Sequence, residues 1–449
     1  MSLPRLVVAA PASGHGKTTV ATGLMAALRR AGHTVSGHKV GPDYIDPGYH
    51  ALATGRPGRN LDPYLVGEQR IVPLLLHGAA GADIAVVEGV MGLFDGRLGA
   101  DGFASTAHVA TLTGSPVLLV VDVSHASRTI AAMVHGLRTW SPEVDIAGVI
   151  LNKAGTERHA EEVRRALGDA VPVLGVLRRD DGIEAPSRHL GLVPAEERAD
   201  AARALDRLAD QVAERVDLDA VVRLARGARD LAGEPWSAAE AIGEEPCAPA
   251  RIAVAGGRSF TFRYAETTEL LEAAGAEVTT LDPLADRALP DGTTGLYLGG
   301  GFPEMHAAVL GANAPLLADV RRRVAGGLPT VAECAGLLYL CRSVRGPAGE
   351  PARMAGVIDV DAAMAPRLTL GYREATATGD DLLSRSGERV TAHEFHRTAL
   401  SGEPAGRPAW WLPQRVAAGV ATPTLHASYL HVHWAGHPHL ARRFVSRAG

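Results

Sequence analysis

The chain has 449 residues, of which 46% are hydrophobic and 21% charged, with a formal net charge of −5. That length exceeds one ordinary core and predicts a globular protein of at least two domains, and an acidic balance with no Lys/Arg block argues against a nucleic-acid partner. No run of about 18 uncharged apolar residues occurs, so no membrane span is expected, and Cys247, Cys334 and Cys341 form neither a disulfide framework nor a zinc spacing.

Met1-Ser2-Leu3-Pro4-Arg5 runs directly into the strand-like Leu6–Ala10, so no secretory leader is expected and the cytoplasm is the expected compartment. Further apolar runs at Ile84–Val87, Val117–Val121 and Ile146–Leu151 have the continuous character of buried parallel strands, with helical segments between them. One helix is predicted from about Thr18 to Arg30, with Val20, Leu24 and Leu28 on one face and Gly32 as its stop. The alternation predicts an α/β fold with a doubly wound sheet.

Between the first strand and this helix lies Pro11-Ala12-Ser13-Gly14-His15-Gly16-Lys17-Thr18-Thr19. Strand, Gly-rich loop and helix in that order hold nucleotide phosphates: loop amides close on the anion and the helix N-terminus adds positive potential. Ser13, Gly14, Gly16 and Thr19 would line the phosphates, Lys17 would reach the β- and γ-phosphates, and the Thr18 hydroxyl would ligate Mg²⁺. The loop departs from the usual pattern in carrying Pro11 where the first glycine stands. Glu88, at the carboxyl end of the Asp83–Val87 run, is placed for the Mg²⁺ shell. Asp95, on the Gly-rich loop that follows, suits either the metal or substrate, or a turn. Asp43 and Asp46, in Lys39-Val40-Gly41-Pro42-Asp43-Tyr44-Ile45-Asp46-Pro47-Gly48, suit a loop that brings carboxylates to a hard cation, or equally a pair of turn formers. Asn152-Lys153 ends a later strand and resembles the base-reading element of P-loop nucleotide binders.

The pattern lapses around Gly233–Ala250, rich in Glu and Pro, and then a new α/β cycle begins. This predicts one domain over 1–232, a linker over 233–250 and a second domain over 251–449. In the second domain, Val331-Ala332-Glu333-Cys334-Ala335-Gly336 reads as strand, sharp turn and helix, with the small-x-nucleophile-x-Gly spacing of a nucleophile elbow. Backbone amides of Gly300 and Gly301, at the end of another strand, could form an oxyanion hole, and His431 and His433 offer a base. Cys341, on the following helix, needs no role.

Together these segments resemble the cobyrinate and hydrogenobyrinate a,c-diamide synthases. The resemblance rests on the loop motifs above and on Glu88-Gly89-Val90-Met91-Gly92-Leu93-Phe94-Asp95-Gly96, Ser187-Arg188-His189-Leu190-Gly191-Leu192, Gly299-Gly300-Gly301-Phe302-Pro303-Glu304, Leu370-Gly371-Tyr372-Arg373-Glu374, His393-Glu394-Phe395-His396 and Ser428-Tyr429-Leu430-His431. It implies an N-terminal ATP-binding amidoligase domain similar to dethiobiotin synthetase and a C-terminal domain similar to class I glutamine amidotransferases. It implies Mg²⁺, with ATP, glutamine and a corrin-ring molecule as substrates, whose a and c acetates become amides in cobalamin biosynthesis through an acyl phosphate. It sets Lys39, Asp43, Tyr44, Ile45 and Asp46 between the γ-phosphate and the ring. Arg188 and His189 fall at peripheral carboxylates of the ring, with a surface salt bridge as the alternative for Arg188.

Aligned with the family motif, His431 is the base for Cys334. The class I His-x-Glu is here His431-Val432-His433, so a Cys–His dyad rather than a triad is expected. Ammonia must stay unprotonated, so a shielded path is expected. The rivals are the same chemistry on another tetrapyrrole, such as nickel-sirohydrochlorin, and a P-loop switch ATPase with a non-catalytic amidotransferase domain. A homodimer is the expected assembly.

Overall fold

The computed structural model describes residues 2–179, 187–188, 191–197, 200–243, 247–347 and 349–449. The chain divides into two compact units, Met1–Trp236 and Ser237–Gly449.

In the first unit, strands β1 (Arg5–Ala9), β2 (Val35–Val40), β3 (Arg59–Leu61), β4 (Ile84–Glu88), β5 (Val117–Asp122), β6 (Ile146–Ala154) and β7 (Val173–Arg178) form one parallel sheet in the order β3-β2-β4-β1-β5-β6-β7. β1 and β4 are buried along their whole length. A strand covered on both faces gains from apolar residues at every position, which explains runs without alternation. Helix Lys17–Arg30 forms because Ala and Leu supply propensity and the four-residue spacing of Val20, Leu24 and Leu28 makes one apolar face; all three are fully buried. That face packs on the sheet and on Leu208 and Val212 of helix Ala201–Arg215. The strand order reverses direction at β1, so the crevice at its carboxyl end, between β4 and β5, is where such a sheet binds ligands. A two-stranded ribbon, β8 (Ser187–Arg188) with β9 (Gly191–Leu192), follows β7 in the chain.

The second unit has two sheets. Strands β10 (Ala250–Ala255), β11 (Ala276–Leu281), β12 (Gly295–Leu298) and β13 (Thr330–Glu333) pair in parallel, as the α/β cycle in the sequence predicts. The other sheet is built on β14 (Ser343–Arg345), β15 (Pro351–Arg353), β16 (Asp361–Ala377) and β17 (Arg389–Leu400), with β18 (Trp410–Leu412) and β19 (Val416–Ala418) at its margin. β20 (Val420–Ala421) and β21 (Leu425–Ser428) complete the first sheet, in the order β11-β10-β12-β13-β21-β20. Tyr429 then carries the chain into β22 (Leu430–Val432), which pairs antiparallel with β17. The β16–β17 hairpin escapes the sequence reading because β16 is largely half-buried or exposed, which leaves no apolar run to find.

Candidate active sites

In the first unit the loop after β1 turns into helix Lys17–Arg30 through Gly16, whose φ of 88° lies in the left-handed region; a Cβ there would also stand 2.3 Å from Asn152 Nδ2. Asn152 Nδ2 donates to the His15 carbonyl at 2.9 Å and Lys153 Nζ to the Gly14 carbonyl at 3.1 Å. Both residues, expected to read a base, therefore grip the loop backbone in this structure. Ser13 and Gly14 are exposed and Thr19 is half-buried.

Lys17 Nζ donates to the carbonyls of Ala12 and Met91. Burial, then Lys39, lowers its pKa to about 8, against the fields of Glu88, Asp46 and Asp95. Thr18 Oγ1 donates to Glu88 Oε1 at 2.6 Å and lies 3.3 Å from Asp46 Oδ2. Behind them Lys39 Nζ is 2.6 Å from Asp46 Oδ2 and 2.9 Å from Glu88 Oε1, and His50 Nε2 is 2.6 Å from Glu88 Oε2. Burial works against the Glu88 carboxylate, yet Lys39, His50 and Thr18 together hold its pKa well below the usual range. The sequence offers no role for His50; its only signal is its place one turn after Asp46.

Asp43 Oδ1 accepts the amides of Ile45 and Asp46 at 2.8 and 3.0 Å, a turn contact just before helix Asp46–Thr54. Asp46, not Asp43, is the aspartate that reaches Thr18. Asp95 Oδ2 accepts the Gly92 amide at 2.9 Å, the turn role, while its field reaches Lys17. Tyr44 and Ile45 are buried beside this cluster. Among the described residues no group of three or more His, Cys, Asp or Glu could hold a metal alone. The oxygens of Thr18, Asp46 and Glu88 nonetheless fit Mg²⁺, a hard cation that takes one or two carboxylates and completes its shell with water and phosphate. His189 lies outside the described residues, and of Arg188 only its place in β8 is described.

In the second unit Cys334 joins β13 to helix Ala335–Leu340 at φ 48° and ψ −96°. A non-glycine residue there is strained by about 1–3 kcal/mol, as a side chain thrust from a turn requires. Gly336 permits the elbow: its amide donates to the Gly299 carbonyl at 3.0 Å, and a Cβ would stand 2.3 Å from the Leu298 carbonyl oxygen. Cys334 Sγ lies 3.7 Å from the Phe395 carbonyl of β17. Burial, then Glu304, pushes the thiol well above its ordinary range; the Ala335 amide opposes this, and Glu333 and Glu394 add to it.

His431 is buried on β22 opposite His393 of β17, and its ring lies against Gly300, where a Cβ would stand 2.4 Å from Cε1. Burial, then His393 and His396, lowers its pKa to about 3, so it rests as a neutral imidazole able to accept a proton. His433 is instead stacked on Tyr264 at 4.0 Å, with Nε2 3.8 Å from Glu266 Oε2. A carboxylate absent from the motif reappears in space: Glu333 Oε2 is 4.0 Å from His431 Nδ1. The Gly300 amide, expected in the oxyanion hole, donates to the Phe262 carbonyl at 3.0 Å in a β-bridge in this structure. The motifs on β16 and β17 also meet: Arg373 Nε donates to Glu394 Oε2 at 2.7 Å, His396 Nε2 is 3.1 Å from Glu394 Oε1, and Tyr429 stacks on His396.

A phosphate loop facing buried acids in one unit and a strained cysteine elbow in the other define a class. Residues 6–193 match the CobQ/CobB/MinD/ParA nucleotide binding domain and residues 251–439 the CobB/CobQ-like glutamine amidotransferase domain. The chain is 58% identical to a hydrogenobyrinate a,c-diamide synthase of Thermobifida fusca, over 99% of this chain and 96% of that protein. It is 53% identical to the protein of the same name from Streptomyces coelicolor, over 99% and 98%. It is 44% identical to a cobyrinate a,c-diamide synthase of Gloeobacter violaceus, over 98% and 96%. The chain belongs to the a,c-diamide synthase family of cobalamin-biosynthesis glutamine amidotransferases.

Proposed function

We propose that this chain is a glutamine-hydrolysing ligase that uses ATP to amidate the a and c acetates of hydrogenobyrinate or cobyrinate. The observation that carries this is the presence, in one chain of this family, of the Lys17–Thr18 loop facing Asp46 and Glu88 together with the Cys334 elbow. Met1–Trp236 is the ATP-binding amidoligase unit and Ser237–Gly449 the glutaminase unit. No helix of the described residues is long and apolar enough to cross a membrane.

A free carboxylate is a poor electrophile, so ATP first converts the acetate to an acyl phosphate. The loop amides and Lys17 bind the phosphates, and Lys17 leaves its resting carbonyl partners to do so. Thr18, Asp46 and Glu88 would hold Mg²⁺, which when bound neutralises phosphoryl charge. Lys39 holds both carboxylates in place: with His50 and Thr18 it keeps Glu88 ionised, whereas burial, Asp43 and Glu88 raise the Asp46 carboxyl well above its ordinary range against the pull of Lys39.

In the glutaminase unit His431 takes the Cys334 proton as sulfur attacks the glutamine amide carbon. The oxyanion forms toward the amides of Ala335 and Gly301. His431 then gives its proton to the leaving ammonia, and water hydrolyses the thioester to glutamate. The ammonia displaces phosphate from the acyl phosphate.

The test is incubation of the protein with glutamine, Mg²⁺, ATP and hydrogenobyrinic acid, with cobyrinic acid in parallel, followed by mass spectrometry. Two successive carboxyl-to-amide conversions that need both ATP and glutamine are expected. Neither ring being converted while ATP is hydrolysed would overturn the substrate assignment.

A further inference from the structure

Glu333 immediately precedes the nucleophile, and its side chain turns inward from β13 into the unit's interior. Tyr297 of β12 donates from its hydroxyl to Glu333 Oε2 at 3.1 Å. The same oxygen is the one 4.0 Å from His431 Nδ1. A carboxyl group buried this deeply is costly to a fold, and an apolar side chain of similar volume would be less so. Its position is therefore explained by what it does for its neighbour.

We propose that Glu333 is the positioning residue for His431: its carboxylate holds the Nδ1–H tautomer, so that Nε2 presents a lone pair to the Cys334 thiol. This rests on the glutaminase reading of the second unit. It replaces, from the strand before the nucleophile, the carboxylate that a His-x-Glu motif supplies two residues after its histidine. The tautomer matters because an imidazole protonated on Nε2 cannot take the thiol proton. When His431 becomes imidazolium, Glu333 is the anion facing its other nitrogen. The 4.0 Å separation closes to hydrogen-bond length with a movement of about 1 Å, and such bonds commonly tighten only with substrate bound.

The charged and titratable groups around His431 give this a pH signature. Burial raises Glu333 to about 8, against the pull of Tyr297, the Val432 amide and Trp434. A protonated Glu333 would donate to Nδ1 and impose the wrong tautomer, so activity should rise as Glu333 ionises. From β17, His393 is lowered by burial and by Arg373 to about 4, and His396 and Glu394 are paired with each other. Cys334 and Tyr297 are raised well above their ordinary ranges.

The experiment measures glutamate release by the full chain, with Mg²⁺, ATP and hydrogenobyrinic acid present, from pH 6 to 10. The wild type should show a limb near pH 8. Glu333→Gln should lower kcat on the order of 10²-fold with KM for glutamine nearly unchanged, and lose that limb, while Glu333→Asp restores part of kcat. Tyr297→Phe, which keeps Glu333 but removes its hydroxyl donor, should move the limb to higher pH; this variant decides the matter if Glu333→Gln does not fold. A wild-type kcat and limb in Glu333→Gln, or an unmoved limb in Tyr297→Phe, overturns the proposal. Cys334→Ala separates the two levels: glutamate release at the wild-type rate in that variant would overturn the glutaminase reading itself.

Discussion

Lys39→Met is the substitution that most directly tests the buried network of the first unit. Lys39 is almost inaccessible and lies within 2.9 Å of two carboxylates that are themselves 6% and 0% exposed. Burial opposes its charge, but Asp46 and Glu88 outweigh that and keep it protonated far above the ordinary lysine range. Methionine fills similar volume and removes only the ammonium, leaving Asp46 and Glu88 facing each other with Thr18 and His50, each at 2.6 Å, as the remaining donors to Glu88. Removing one partner of a buried ion pair costs about 3–5 kcal/mol, because the remaining charge is uncompensated. For a unit of this size each kcal/mol corresponds to roughly 2–4 °C in Tm, so the loss should be near 10 °C. The assay is urea unfolding at pH 7.5 with chelator present, so that no metal substitutes for the lysine. Lys39→Met/Asp46→Asn closes a double-mutant cycle. It should be less destabilised than Lys39→Met alone, with a coupling of about 1–3 kcal/mol. A loss under about 1 kcal/mol for Lys39→Met, or additive behaviour in the double variant, would refute the reasoning.

Three further outcomes are expected. Lys17→Met should lower ATP-dependent amidation on the order of 10²-fold while glutamate release survives in a coupled-enzyme assay, because it removes a charge aimed at the phosphates. Gly336→Ala should abolish glutamate release and destabilise the second unit by more than about 2 kcal/mol, read by calorimetry, because the new Cβ meets the Leu298 carbonyl at 2.3 Å and backbone must move. Glu333→Gln should gain stability relative to wild type as pH rises. The folded carboxyl sits at about 8 against 4.5 when unfolded, so the wild type loses stability between those values. At about 1.36 kcal/mol per pH unit the full difference is at most about 5 kcal/mol, and parallel pH–stability curves for the two proteins would refute it.

The sequence makes legible what depends on neighbours along the chain. Strand, glycine loop and helix are contiguous, so the phosphate loop and the cysteine elbow can both be read at once. The apolar runs of β1, β4, β5 and β6 are continuous because both faces are covered. What escapes is pairing across long separations. His50 meets Glu88 from another element, Glu333 meets His431 across 98 positions (431 − 333), and the two motifs on β16 and β17 meet only when the hairpin forms. Which of Asp43 and Asp46 reaches Thr18 was not legible either, since both are aspartates three positions apart; only the fold sets Asp43 on the turn amides and Asp46 at Thr18. The missing His-x-Glu carboxylate shows the same limit. A motif read along the chain finds it absent, whereas the sheet register sets β13 beside β21 and brings a carboxylate in from the side.

The two sites use one geometric device for opposite ends. Each lies where a parallel strand passes into a helix N-terminus, with amides pointing outward and a favourable field for negative charge. In the first unit the turn residues with positive φ are glycines, Gly14 and Gly16, so the loop is unstrained, a form suited to wrapping an anion brought from outside. In the second unit the positive φ falls on Cys334, a residue with a side chain, so the strain is stored and Sγ is projected to where the anion will form. The surrounding charge follows the same division. Cations, Lys17 and Lys39, approach the phosphate loop, whereas burial, with Glu304, Glu333 and Glu394 adding to it, keeps the thiol protonated at rest. In the proposed glutaminase reaction a thiol held neutral in this way needs a base beside it, so the state of His431, and through it that of Glu333, would govern that reaction.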